Sequence, residues 1–200
     1  MKISVIIPCK DRPEQTKRLL NELCEQRKNY PQTEIIVVEN GSTIDMSFLN
    51  DYDIILKHEE IKGDAHGRNI GLELSTGDYI CFCDNDDMIS KNYLDVIYKN
   101  IETKLDWYTW RWSVDGKEID FNDDPDPLKT NWALWGYCFK RELIMPFRFD
   151  ESKYAGSDLL IFDIITEQTK GGFIDEVLYY FVWNGNEDSL SHKHNRGETN

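Results

Sequence analysis

The sequence lacks any run of about 18 apolar residues, the length needed to cross a bilayer core, and its apolar start, MKISVIIPCKDR, is too short for a signal peptide. These absences point to a soluble protein with no transmembrane segment. Basic residues are scarce: 23 Lys and Arg against 37 Asp and Glu leave a formal charge of −14, so the surface repels nucleic-acid phosphates and anionic headgroups. A nucleic-acid partner is disfavoured, and any bound polyphosphate must be held locally, by a metal ion or a few placed Arg and Lys side chains. Cysteine occurs at positions 9, 24, 81, 83 and 138, an odd number without paired spacing, which reads as reduced thiols in a cytoplasmic protein rather than a disulfide framework. Internal repeats, low-complexity tracts and long linkers are missing too. The nearest approach to a seam is FNDDPDPLKTN, residues 121–131, acidic and proline-bearing.

What is present is enough for one folded domain over residues 1–200. Forty percent of the residues are hydrophobic, well above the profile of a disordered chain. Residues 3–7 form a β-branched run stopped by Pro8, as in a strand buried on both faces of a parallel sheet. Asp11 followed by Glu14 resembles a capping box ahead of the helical stripe Leu19, Leu20, Leu23 and Cys24. Strands are expected at 34–38, 53–56 and 79–83, with a helix over 65–74 between the last two. Leu94, Ile97, Tyr98 and Ile101 have helical spacing. Further on, 107–114 (WYTWRWSV) alternates as a half-exposed strand does, and 131–139 is another aromatic strand candidate. A helix over 159–165 stops at Gly171-Gly172, and 177–183 is a last strand. The pattern is that of an α/β domain with a mixed sheet.

Ligands of open α/β sheets bind beyond the carboxyl ends of the strands. Pro8 to Asp11, Glu39-Asn40 and Asp84 to Asp87 all fall there. The first of these turns, PCKDRPEQ, has no glycine and hence no backbone cradle for phosphate. The stretch CFCDNDDMIS offers a substitute. In an extended segment Asp84 and Asp86 point the same way and Asn85 the other, so the two carboxylates can share a Mg²⁺ or Mn²⁺ ion whose other ligands are substrate phosphates and water. Helix capping or simple solvation is the plainer account of such a cluster. A calcium EF-hand loop is ruled out by Met88 and Ile89 at its fifth and sixth positions.

Beyond these features, ISVIIPCKDR, EIIVVENGSTID, GDAHGRNIGLELSTGDYICFCDNDD, FKRELI, FRFDE, GSDLLIFDI and VLYYFVWNGNEDSLS resemble, in order, the landmarks of the family 2 glycosyltransferases, over Ile3 to His192. The resemblance implies a GT-A fold (nucleotide-diphospho-sugar transferase-like), a single domain with a mixed central sheet flanked by helices. It divides into a nucleotide-sugar-binding half (1–105), an acceptor-binding half (106–190) and a flexible tail (191–200). It also implies inverting transfer of a sugar from a nucleoside diphosphate donor, a UDP-sugar, to the hydroxyl of a saccharide or other acceptor, assisted by Mn²⁺ or Mg²⁺.

Site residues follow by the same resemblance. Asp86 would contact the metal directly, and Asp84 would touch the ion, its water or the ribose, with Asn85 in the same turn and Asp87 shaping the loop. Pro8 and Asp11 would line the nucleoside pocket, although helix capping is the stronger expectation for Asp11. Glu39 stands where the family has an Asp that accepts from uracil, and Arg68 matches an arginine near the base and diphosphate, with a solvated helix arginine as the alternative. Asp158 occupies the position of the general base, with Ser157 where the family has Glu and an N-cap as its other use. His192 is a candidate third metal ligand, with His194 beside it. Trp110, Trp112, Trp132 and Trp135 are candidates for stacking on sugars as well as for the core, and Gly136 adjoins them in an acceptor site. Two rivals stand beside this reading: a sugar nucleotidylyltransferase, which should carry a glycine-rich basic signature after the first strand, and an inactive sugar-nucleotide-binding module.

Overall fold

A computed structural model describes residues 1–118, 133–152 and 160–183. The chain opens with β1 (Ile3–Cys9), every residue of which is buried. Its β-branched side chains alternate between two clusters: Ile3, Val5 and Ile7 face one layer and Ile6 the other. α1 (Pro13–Arg27) buries Leu19, Leu20 and Leu23 on the first layer and leads to β2 (Glu34–Asn40), parallel to β1. β3 (Ile55–Glu59) forms the parallel edge beside β2. From there α2 (Asp64–Leu74) carries the chain back over the second layer to β4 (Tyr79–Phe82), on the opposite side of β1. The direction of winding therefore reverses between β1 and β4, the kind of switch point at which strand-end loops splay apart and leave a crevice.

The remaining elements extend this sheet. They are β5 (Met88–Ile89), α3 (Tyr93–Ile101), β6 (Trp107–Val114), β7 (Lys117–Glu118), β8 (Tyr137–Lys140), the single turns α4 (Arg141–Ile144) and α5 (Ile161–Ile164), and β9 (Gly171–Phe181). Among the described residues nine strands form one sheet ordered β3-β2-β1-β4-β8-β6-β9-β5, with β7 on β6. β8 runs antiparallel to both β4 and β6, and β9 parallel to β6, which makes the sheet mixed. No helix among the described residues is long and apolar enough to cross a membrane.

Several expectations are corrected. The third strand starts at Ile55 rather than Asp53, because pairing with β2 begins at Ile36 opposite Ile55. The 107–114 strand is not half-exposed: β6 lies inside the sheet between β8 and β9, and six of its eight residues are buried. Within 131–139 the described part is a 3₁₀ turn, Leu134–Gly136, followed by β8. The expected helix over 159–165 is one turn where it is described, and Gly171-Gly172 opens β9 instead of stopping a helix. A Cβ at Gly171 would collide with the Trp107 indole, so this glycine marks a close approach inside a strand.

Candidate active site

The chain leaves β4 through a tight turn, with the Asp87 N–H donating to the Asp84 carbonyl at 3.3 Å. The segment is therefore not extended, and its four side chains take different partners. Asp84 meets Arg68 Nη2 of α2 at 3.1 Å, while Asp86 is paired with Arg12 Nη1 from the β1–α1 loop. Asn85 turns beneath them and donates to Thr16 Oγ1 at 2.9 Å and the Asp11 carbonyl at 3.3 Å. Asp87 points inward, 1% exposed, and accepts from the Tyr179 hydroxyl at 3.0 Å and the Val182 N–H at 2.8 Å. Burial pushes the Asp87 carboxyl well above the usual carboxylate range, and the neighbouring charges of Asp86 and Asp84 add to the effect. The cluster raised at the sequence level thus resolves into two carboxylates matched by arginines and one sequestered in the core.

The β1–α1 loop is strained. Asp11 and Arg12 both adopt left-handed backbone, at φ 56° and 58°, a conformation that costs a non-glycine residue about 1–2 kcal/mol. Pro13 then opens the helix, where its missing N–H is no loss. The expected capping box does not form: the helix has no side-chain cap, and the Asp11 carboxylate reaches across to accept the Thr43 N–H at 2.7 Å. The Ser42 hydroxyl accepts the Asp11 N–H at 2.9 Å. These bonds tie the β1 loop to the loop after β2, where Glu39 accepts the Ser42 N–H at 2.8 Å and meets His58 Nδ1 at 3.0 Å. Burial alone would raise the Glu39 carboxyl, but hydrogen bonds from Ser42 and His58 outweigh it and hold the group below its usual range. Glu39 therefore stays ionised beside the switch point.

Two glycines bring α2 into place. A Cβ on Gly71 would overlap Ile6 Cγ2, and one on Gly67 would press on Pro8 Cβ at 3.1 Å. The helix accordingly lies directly on β1, with Arg68 beside the acidic turn. Arg68 is 3% exposed, bridges Asp64 at 2.8 Å and Asp84 at 3.1 Å, and lies over the Phe149 ring. The next residue, Asn69, exchanges hydrogen bonds with the Phe149 backbone and donates to Glu151, which also meets His66 Nδ1 at 2.9 Å.

Pro8, Asp11, Glu39, Arg68, Asp84, Asn85 and Asp86 thus lie at or just past the ends of β1, β2 and β4 and on α2. The aromatic candidates differ. Trp110 is 0% exposed and packs edge-on against Tyr93, so it has no face to offer a sugar. Trp112 and Trp135 are also buried and lie edge to face with each other, and Trp135 stacks on Tyr179. The Gly136 carbonyl accepts from Thr109 Oγ1. Asp158, Trp132, His192 and His194 lie outside the described residues. Sequence reasoning missed Arg12 and Tyr179. The first sits in a motif already singled out, and the second in the strand expected over 177–183.

Among the described residues no three His, Cys, Asp or Glu side chains form a metal cage. Asp84 and Asp86, with side chains 31% and 12% exposed, are hard oxygen donors in the small number that Mg²⁺ or Mn²⁺ needs when phosphate oxygens complete its shell. The residues present therefore fit such an ion.

The architecture is that of the GT-A glycosyltransferases. The crystal structure of Staphylococcus aureus TarS 1-349 in complex with UDP-GlcNAc superposes with a TM-score of 0.79 at 21% identity, over 92% of this chain and 59% of that one. Mannosyltransferase PcManGT from Pyrobaculum calidifontis, in complex with GDP-Man and Mn²⁺, gives 0.69 at 18% identity, over 90% of this chain and 56% of that one. The chain belongs to glycosyltransferase family 2, since residues 4–148 match the family model "Glycosyl transferase family 2". Glycosyltransferase GlyA of Streptococcus pneumoniae serotype 4 (strain TIGR4) is 34% identical over 212 residues, 90% of this chain, and the chain spans 30% of that protein's length.

Proposed function

We propose that the chain transfers a sugar from a nucleoside diphosphate donor, a UDP-sugar, to the hydroxyl of a saccharide or other acceptor, with inversion at the anomeric carbon. The observation that carries this reading is the pairing of Asp84 with Arg68 and of Asp86 with Arg12 at the β1/β4 switch point, where two arginines offer positive charge to a diphosphate. UDP-GlcNAc bound to TarS and GDP-Man bound to PcManGT support the donor class. In this reading Glu39 accepts a hydrogen bond from the base, Pro8 and Asp11 border the nucleoside, and Arg68 steadies the diphosphate. Asp84 and Asp86 would hold Mn²⁺ or Mg²⁺, with His192 as a further ligand; the ion would stabilise charge on the departing diphosphate. Asp158 takes the proton of the attacking hydroxyl, and residues 106–190 receive the acceptor through Trp132, Trp135 and Gly136. For Trp135 that role requires its ring to leave the Tyr179 stack, and Trp110 takes no part.

Five free cysteines accord with a reducing, cytoplasmic setting. The curated relative GlyA carries a glycosyltransferase name, and no observation favours nucleotidyl transfer. The deciding experiment is calorimetry of UDP with and without Mn²⁺: Asp86→Ala should abolish the Mn²⁺-dependent component while leaving the fold intact, and unchanged binding would overturn the metal-assisted reading.

A further inference from the structure

We propose that Arg12 is an exchangeable counter-cation of the donor site: its guanidinium holds Asp86 until a divalent ion arrives, then passes to the donor's diphosphate. The inference deepens the metal-assisted reading and rests on it.

The two arginines of the site are built differently. Arg68 is clamped between Asp64 and Asp84, its side chain is 4% exposed, and it lies over Phe149. If Asp84 took a metal, Arg68 would still have Asp64. Arg12 comes from a loop, its side chain is 23% exposed, and it meets Asp86 through Nη1. Its backbone cannot shift easily, because its carbonyl accepts both the Thr16 N–H at 3.0 Å and the Thr16 hydroxyl at 2.9 Å. The long, part-exposed side chain is the element free to swing. Arg18 contributes at the same turn by a different route, donating from Nη2 to the Asp86 carbonyl at 3.2 Å.

A guanidinium and a dication held on one carboxylate repel each other, strongly where water is partly excluded, so each weakens the other's hold. Arg12 and the metal therefore compete for Asp86. Bound alone, the ion must displace Arg12 into solvent. Bound with a nucleoside diphosphate, it displaces Arg12 toward anionic oxygens whose geometry suits the planar guanidinium fork. Metal and donor should then bind cooperatively, and by linkage each raises the other's affinity by the same factor. A site of this kind stays neutralised when empty and admits the ion chiefly as a partner of the donor.

The test is Mn²⁺ binding to the 200-residue chain, followed by the electron paramagnetic resonance signal of free Mn²⁺, with and without saturating UDP. Wild type is compared with Arg12→Met, Arg12→Gly and Asp86→Asn. Glycine accepts the left-handed backbone at this position, so Arg12→Gly serves as the folded control for Arg12→Met. Both Arg12 variants should bind Mn²⁺ without UDP about tenfold more tightly than wild type, as expected for removing a partly buried competing charge. The enhancement of Mn²⁺ binding by UDP should shrink by a comparable factor. If Mn²⁺ binding without UDP is equal or weaker in both variants while Asp86→Asn abolishes it in the presence of UDP, the exchange is wrong and the metal-assisted reading survives. If wild type takes up no Mn²⁺ even with UDP, or Asp86→Asn binds it unchanged, the metal-assisted reading fails and takes the exchange with it.

Discussion

The Tyr179 hydroxyl accepts the Asp84 N–H at 3.0 Å and donates to Asp87 Oδ2 at 3.0 Å, so one phenol on β9 fastens both ends of the acidic turn after β4. Its ring is fully buried and stacks on Trp135 at 4.5 Å between centroids. The course of the turn that carries Asp84 and Asp86 is thus set by a residue far along the chain.

Tyr179→Phe keeps the stack and deletes the bridge. Asp87 then loses one of its two donors inside the core, which should cost about 1–3 kcal/mol of stability, the range for an unsatisfied buried polar group. Urea unfolding measures that loss, and calorimetry of UDP with Mn²⁺ should show weaker binding. If neither changes, the phenol does not hold the turn.

Asp158→Asn should bind the donor as wild type does but turn over about 10²–10⁴-fold more slowly, the usual contribution of a positioned general base. Sugar-transfer rates at saturating donor provide the check. An unimpaired rate would remove Asp158 from the mechanism.

Gly71→Ala offers a conflict with a definite outcome. Alanine favours a helix over glycine by about 1 kcal/mol, yet its Cβ would overlap Ile6 Cγ2 in a fully buried strand. Ile6 is β-branched and enclosed, so the helix must move, and overpacking of this kind costs about 1–3 kcal/mol. A lower urea midpoint is expected, together with weaker UDP binding as Arg68 is lifted from Asp84. A stabilised variant would show that α2 does not lie on β1 as described.

Glu34 governs part of the acid limb. Burial would raise its carboxyl, but hydrogen bonds from Lys2, Ser4 and Thr76 bring it down to about 2. The unfolded value is about 4.3, so between these pH values the folded chain carries fewer protons at this position than the unfolded chain. The stabilisation is complete above the upper value and disappears as pH falls through the window to the lower one. Glu34→Gln should lower stability at neutral pH and flatten the fall in urea midpoint below about pH 4.3. A parallel fall in both proteins would show that the contribution lies elsewhere.

The elements near the start of the chain were legible because their signals are local. A β-branched run buries itself whichever strand it pairs with, and Leu19, Leu20 and Leu23 define a helical face by spacing alone. Asp11, Glu39, Asp84 and Asp86 stand at or just past strand ends, which periodicity also marks. Asp11 shows where local reasoning fails: its spacing to Glu14 suggested a cap, whereas its partner is Thr43, brought alongside by the parallel pairing of β1 with β2. In the aromatic half, Trp110 and Trp135 had equal claims on core and cleft; the placement of β6 between β8 and β9 puts the Trp110 indole inside, and stacking on Tyr179 of β9 covers that of Trp135.

By itself the sequence determined the order of the main strands and helices of the first half, the absence of a glycine cradle, and the presence of an acidic turn at a strand end, because each depends on neighbours within a few residues. Tertiary structure alone decided which charges meet. Arg12 reaches Asp86 because β1 and β4 lie side by side, and Asp87 turns into the core because β9 supplies the Tyr179 hydroxyl. Neither pairing leaves a trace in local periodicity, since the partner of a side chain across a sheet is chosen by strand order, which the whole chain must fold to establish.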